Sequence, residues 1–217
     1  MDKLLDVRAR TRKAIHLIAK QIRPGMSEDE AKDIAKSTLT EMGMRRGWHH
    51  IIVRFGPNTA KDFTEGSEPG VVLGYDDIFF IDIGPNYEEI EGNEGDTFVL
   101  GDNPEYVRAK LDVRGIWEKT REYWLKNGVT GQALYEYARK TTEGLGWKLN
   151  LEQFGHWLSD FVHTAHGDAS SADVPFELHP GRRVLAIAII HPDKTFGAFY
   201  GDLLLKDQTF PESVFAV

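Results

Sequence analysis

The order of elements in this chain repeats. Two helices precede a block of strands, and the same series follows again after roughly one hundred residues, without any repeat of the residues themselves. Apolar residues Leu4, Ala9, Ile15, Ile18 and Ile22, with charges between them, predict an amphipathic helix over residues 4–22, broken by Pro24-Gly25. Ser27 with Glu30 is a capping box for a second helix, with Ala31, Ile34, Ala35, Leu39 and Met42 on its inner face and Gly43 at its end. Strands are expected at 50–55, 71–73 and 78–83 and again from Asp96, with a polar loop over 59–69. In the second half, Asp102 or Asn103 caps a helix that opens on Pro104 and carries Val107, Leu111, Ile116, Tyr123 and Trp124 inward. Asn127-Gly128 stops it, and a fourth helix runs from near Thr130 to Gly144. Strands are then expected at 147–151, 184–190 and 196–205, around a polar, histidine-rich stretch at 153–173. The run 184–190 has few polar side chains and is expected to be buried on both faces. Two such α+β halves, about 1–102 and 103–217, would face each other across a cleft. No flexible linker separates them, so 1–217 is expected to be one domain.

The most informative stretch is the apolar run around Asp82 and the acidic connector that follows it. A carboxylate inside such a run needs a partner, either a cation such as Arg or Lys or a metal ion. Asp96 opens the next apolar run, and two strands each carrying a carboxylate can hold a divalent ion between them. The alternative is an ordinary hairpin whose acids face water, and Glu88, Glu89, Glu91 and Glu94 are expected to form its solvated tip.

Composition narrows the choices. The absence of cysteine excludes disulfides, thiolate metal sites and a thiol nucleophile. A net charge of −8 argues against non-specific nucleic-acid binding. No run reaches the ~20 apolar residues of a membrane span, and the charged N-terminus is not a secretory signal, so a cytoplasmic protein is expected. No glycine-rich phosphate loop or Gly-x-Ser-x-Gly elbow occurs.

Three local patterns, in this order and spacing, resemble the methionine aminopeptidase and Xaa-Pro dipeptidase superfamily, the pita-bread metallopeptidases. They are Phe55-Gly56-Pro57-Asn58, Phe80-Ile81-Asp82-Ile83-Gly84, and Gly155-His156 with His163 seven residues on. The resemblance runs from Leu4 to Leu205 and implies an α+β pita-bread fold, two pseudo-symmetric halves around a central cleft. It also implies a pair of divalent ions (manganese, cobalt, zinc or iron) held by two aspartates, a histidine and two glutamates, which activate a water for attack on a peptide carbonyl. Carried over position by position, Asp82 matches the first aspartate and His156 the histidine. The second aspartate falls on Asn93, eleven residues after Asp82; either a longer hairpin brings Asp96, three further on, into the role, or this ligand is lost. The two glutamates fall on Ala186 and Gly201; Asp202, next to Gly201, should point the opposite way.

The resemblance therefore implies a metallopeptidase fold with a degraded metal site, one that holds a divalent ion weakly or not at all. A natural pseudopeptidase fits this pattern, and so does a scaffold re-purposed or engineered around an emptied cleft. The alternative is an active aminopeptidase or dipeptidase that uses Asp82, Asp96 and His156. His163, His191 and His50 are the candidate acid–base residues, with His49 beside His50 at a strand edge, while Asn93, Ala186, Gly201 and Phe55 are candidate cleft-lining positions. A peptide or small molecule in the cleft is the expected ligand, and a homodimer is compatible with the resemblance; neither nucleic acid nor membrane is expected as a partner.

Overall fold

The repeated series builds one continuous sheet, not two sheets facing each other. The computed structural model describes residues 2–62, 64–150 and 183–205. Among these, the helices are α1 (Asp2–Ala19), α2 (Glu28–Glu41), α3 (Pro104–Asn127) and α4 (Gly131–Gly144). The strands are β1 (Arg46–Gly47), β2 (Ile52–Phe55), β3 (Asp77–Ile83), β4 (Pro85–Tyr87), β5 (Ile90–Glu91), β6 (Glu94–Leu100), β7 (Lys148–Leu149), β8 (Val184–Ile190) and β9 (Gly197–Leu203). Six of them form an antiparallel sheet in the order β2-β3-β6-β9-β8-β7, and β1-β4-β5 make a smaller one. The halves join where β6 meets β9.

Strand alternation gives the large sheet two different faces. On one, α1 and α2 cover Phe55, Phe79, Ile81 and Ile83, and α3 and α4 cover Leu185, Ile187, Ile189 and Ala198. On the other lie Phe80, Ala186, Ala188, Phe199 and Leu203. β8 is buried along almost its whole length, as its unbroken apolar run requires. Helix side chains also hold its backbone: Trp117 Nε1 donates to the Leu185 carbonyl at 2.8 Å and the Tyr135 hydroxyl to that of Ala186 at 3.2 Å.

The caps follow the sequence. Ser27 and Glu30 close the capping box of α2, Asn103 caps α3, and Gly128 ends α3 in the left-handed conformation at φ 56°. Four expectations need correction. Residues 71–73 form only an isolated bridge, Val72 to Ser27, and not a strand. Ala9 is exposed, and α1 instead turns Arg8 and Thr11 inward. Val107 and Leu111 stand in solvent, because α3 buries Ala109, Val113, Ile116 and Trp117. Finally, only part of the acidic connector is solvated. Glu88 and Glu89 are exposed, but Glu91 and Glu94 are buried because β4 and β5 fold the connector back under α1.

The inward-facing α1 arginines neutralise the acids beneath the sheet. Arg8 grips Asp202 with two nitrogens, Nε lying 2.6 Å from Oδ1 and Nη2 bonding Oδ2. Arg12 donates to Glu94 at 2.9 Å, to Asp202 at 3.1 Å and to the Tyr200 hydroxyl at 2.5 Å. Burial and the neighbouring charge of Asp202 hold the Glu94 carboxyl above the ordinary range.

Candidate functional site

Register carries one row of residues across four strands. Asp82 on β3 pairs with Gly95 on β6, Gly95 with Gly201 on β9, and Gly201 with Ala186 on β8. Directly paired residues share a face, so all four lie on the face away from the helices. The row thus holds one carboxylate and three positions with little or no side chain. β6 and β9 pair at Gly95 and Gly201, and beyond that pair Thr97 takes over the ladder. Its hydroxyl accepts from the Phe199 N–H and donates to the Phe199 carbonyl, both at 2.8 Å. This brings the Phe199 ring down onto the glycines. A Cβ on Gly95 would lie 2.0 Å from that ring, and one on Gly201 would lie 3.1 Å from it. Phe80 packs against the same ring at 5.4 Å between centroids.

Asp82 is 3% exposed, and among the described residues its Oδ1 finds no hydrogen-bond partner. Burial raises its carboxyl above the ordinary range, with His49 and Asn93 pulling it back down. His49 Nε2 lies 3.9 Å from Asp82 Oδ1 and 3.3 Å from the Asn93 amide nitrogen. The His49 Nδ1 sits 2.6 Å from the His50 carbonyl, which can only accept. In the neutral ring the proton is therefore on Nδ1, and Nε2 presents its lone pair to Asn93. Asn93 itself is buried at the turn into β6.

Gly84 makes room for this arrangement. A Cβ there would meet His49 Cδ2 at 2.3 Å and Trp48 Nε1 at 2.6 Å. Gly84→Ala should therefore push His49 away from Asp82 and cost about 1–3 kcal/mol by overpacking. The ring shifts of His49 in an NMR spectrum and a urea midpoint check the two effects separately; an unmoved His49 contradicts the first.

Among the described residues, Asp96, His50, His191 and Phe55 are not brought to Asp82. Asp96 pairs with Ile81, so it faces the helices and not the row; a shift by one residue reverses the face. The side chain of His50 is exposed, and only its carbonyl serves the site. His191 closes the β8–β9 turn, where Nδ1 accepts from the Asp193 N–H at 3.2 Å and the ring stacks on Phe196 at 5.0 Å. Phe55 is core, edge-on to Phe79 at 5.9 Å, because it shares the helix-side face. Asn58, in the turn after it, ties Glu28 to the backbone of Glu68. Asp202 points to the helix side, as alternation requires. His156 and His163 lie outside the described residues. His49, expected at a strand edge beside His50, is the histidine of that pair that approaches Asp82; Gly84, just after the Asp82 strand, is the signal that a bulky group crosses there.

Burial lifts the Asp96 carboxyl to about 6, the Thr97 amide and Arg114 opposing. A carboxyl raised in the folded state binds its proton more tightly there than in the unfolded chain, where the value is about 3.9. Its contribution to stability is therefore complete below about pH 4 and is lost as pH rises through about 6. Asp96→Asn should flatten this decline in a series of urea midpoints from about pH 4 to about pH 8; an unchanged slope contradicts it.

Comparison with known proteins follows the same geometry. The profile described as metallopeptidase family M24 matches residues 2–205. The chain belongs to metallopeptidase family M24. Its pita-bread fold is shared with an X-Pro aminopeptidase from Thermotoga maritima at TM-score 0.76 and 23% identity, covering 100% of this chain and 62% of that one. A prolidase from Pyrococcus horikoshii gives 0.74 and 19%, with 95% and 60% coverage. A methionine aminopeptidase from Thermotoga maritima gives 0.70 and 14%, with 93% and 94% coverage. This M24 chain thus spans about three-fifths of the length of the first two. No curated protein matches its sequence. Among the described residues of this family member, no three His, Asp or Glu side chains are arranged to hold a metal ion, and no helix is long and apolar enough to cross a membrane.

Proposed function

We propose that this M24 protein has lost the dinuclear centre of a peptidase and keeps its cleft for binding a peptide or small molecule. The observation that carries this reading is the row Asp82, Gly95, Gly201, Ala186. A pair of divalent ions does not fit the donors of that row. Gly201 and Ala186 offer no side-chain oxygen, Asn93 is neutral, and the Phe199 ring fills the space above Gly95. Among the described residues, Asp82, His49 and Asn93 form a polar corner beside an apolar floor. The cleft of such a protein selects a ligand by shape and by that one polar corner.

The test is an assay of X-Pro dipeptide cleavage with added manganese, cobalt or zinc, run with and without chelator. Turnover at the level of an uncatalysed control is expected, together with saturable dipeptide binding that Asp82→Asn weakens. Chelator-sensitive turnover would overturn the proposal and restore the reading of an active aminopeptidase or dipeptidase.

A further inference from the structure

Six large apolar side chains are exposed among the described residues: Leu17, Val72, Tyr75, Val107, Leu111 and Leu125. Three of these, Leu17, Val107 and Leu111, stand on α1 and α3, which both pack on β6. Leu17 lies on α1 in the spacing Lys13, His16, Leu17, Lys20, one face of a helix. Val107 and Leu111 lie on α3 in the same spacing, Val107, Lys110, Leu111, Arg114. Both helices pack over the paired strands β6 and β9. The His16 ring stands edge-on to Phe98 at 5.9 Å, and the Arg114 guanidinium lies over the Tyr200 ring at 5.6 Å. Burial and then Arg12, Lys110, Lys20 and Arg114 lower the pKa of His16 to about 4, so cations of both helices surround that point. The carboxylates facing the surface are fewer. Asp96 forms part of its floor, and Glu118 lies 3.4 Å from Arg114. In a chain of net charge −8, this is a local reversal of sign around an apolar centre.

We propose that the α1–α3 face docks an acidic amphipathic segment of a partner protein. The segment's apolar side chains cover Leu17, Val107 and Leu111, which are 37%, 38% and 64% exposed. Its carboxylates meet Lys20, Lys110 and Arg114. Charge complementarity decides the occupant. A second copy related by a twofold axis would set the same cations against each other. Nucleic acid would gain nothing from the three apolar side chains at the centre. An acidic helix laid into an apolar strip matches both features.

The probe is a fluorescent synthetic helix with leucines on one face and glutamates on the flanks, followed by anisotropy. Saturable binding is expected, about tenfold or more weaker in Lys110→Glu/Arg114→Glu and in Val107→Ser/Leu111→Ser, and weaker again at about 0.5 M salt. The same peptide with glutamine for glutamate should bind less tightly. The substituted positions are exposed, and circular dichroism confirms that the variants fold. The proposal is overturned by absent or unsaturable binding, by equal binding of the glutamine peptide, or by variants that bind as the parent does. It is also overturned if the same substitutions instead abolish binding to phosphatidylserine vesicles, or dimerisation in the ultracentrifuge, with the peptide unaffected.

Discussion

Asn93→Asp, Ala186→Glu and Gly201→Glu, combined, should give the chain an avid divalent-ion site that the parent lacks. The backbone is ready for it, because Ala186 and Gly201 are paired in register and Gly201 is joined through Gly95 to Asp82. The three carboxylates would converge with Asp82 on one face. Two adjustments are needed. The Phe199 ring must swing away, since a Cβ on Gly201 already comes within 3.1 Å of it. Buried carboxylates of like charge must also be tolerated, at several kcal/mol each without a counter-ion. The triple variant should therefore melt well below the parent in chelator and recover when manganese is added, because ions bound only by the folded state stabilise it. Calorimetric titration and melting curves read both effects. A variant that melts alike with and without manganese would show that the row is not the family's metal position.

Asp202→Ala should be the most damaging single change among those considered. Asp202 is fully buried and accepts from Arg8, Arg12 and the Leu203 amide. Removing it leaves two guanidinium groups beneath the sheet with Glu94 as their nearest remaining carboxylate. Breaking a buried pair from one side costs about 3–5 kcal/mol. Adding Arg8→Met should recover part of the loss, since an apolar side chain of similar length carries no charge to bury. Urea denaturation of the parent, both single variants and the double variant measures the coupling. Additive losses would mean that Arg8 and Asp202 do not act as a pair.

Much of the fold was legible from local signals. Ser27 with Glu30, Asn103 before Pro104, and Asn127-Gly128 announce helix ends through backbone chemistry that no tertiary contact overrides. The unbroken apolar run of β8 announced a strand buried on both faces. The site was legible in part. The interest of positions 93, 186 and 201 came from spacing, and the register places Ala186 and Gly201 together in the row with Asp82. What escaped was long-range. Nothing near Glu94 in sequence says that Arg12, eighty-two residues away, neutralises it. The face of Asp96 depended on a register that only the β3–β6 pairing fixes. The approach of His49 to Asp82 was hidden because it rests on space left by Gly84, and the place of Phe199 because its ring occupies space left by Gly95 and Gly201.

Whether the row Asp82, Gly95, Gly201, Ala186 holds a pair of metal ions is open to direct measurement. Equilibrium dialysis of the purified parent chain against manganese, cobalt and zinc, followed by elemental analysis, tests it most directly. Well under one tightly held ion per chain, removed by simple washing, is expected. Two ions per chain that survive washing and leave only with chelator would contradict it.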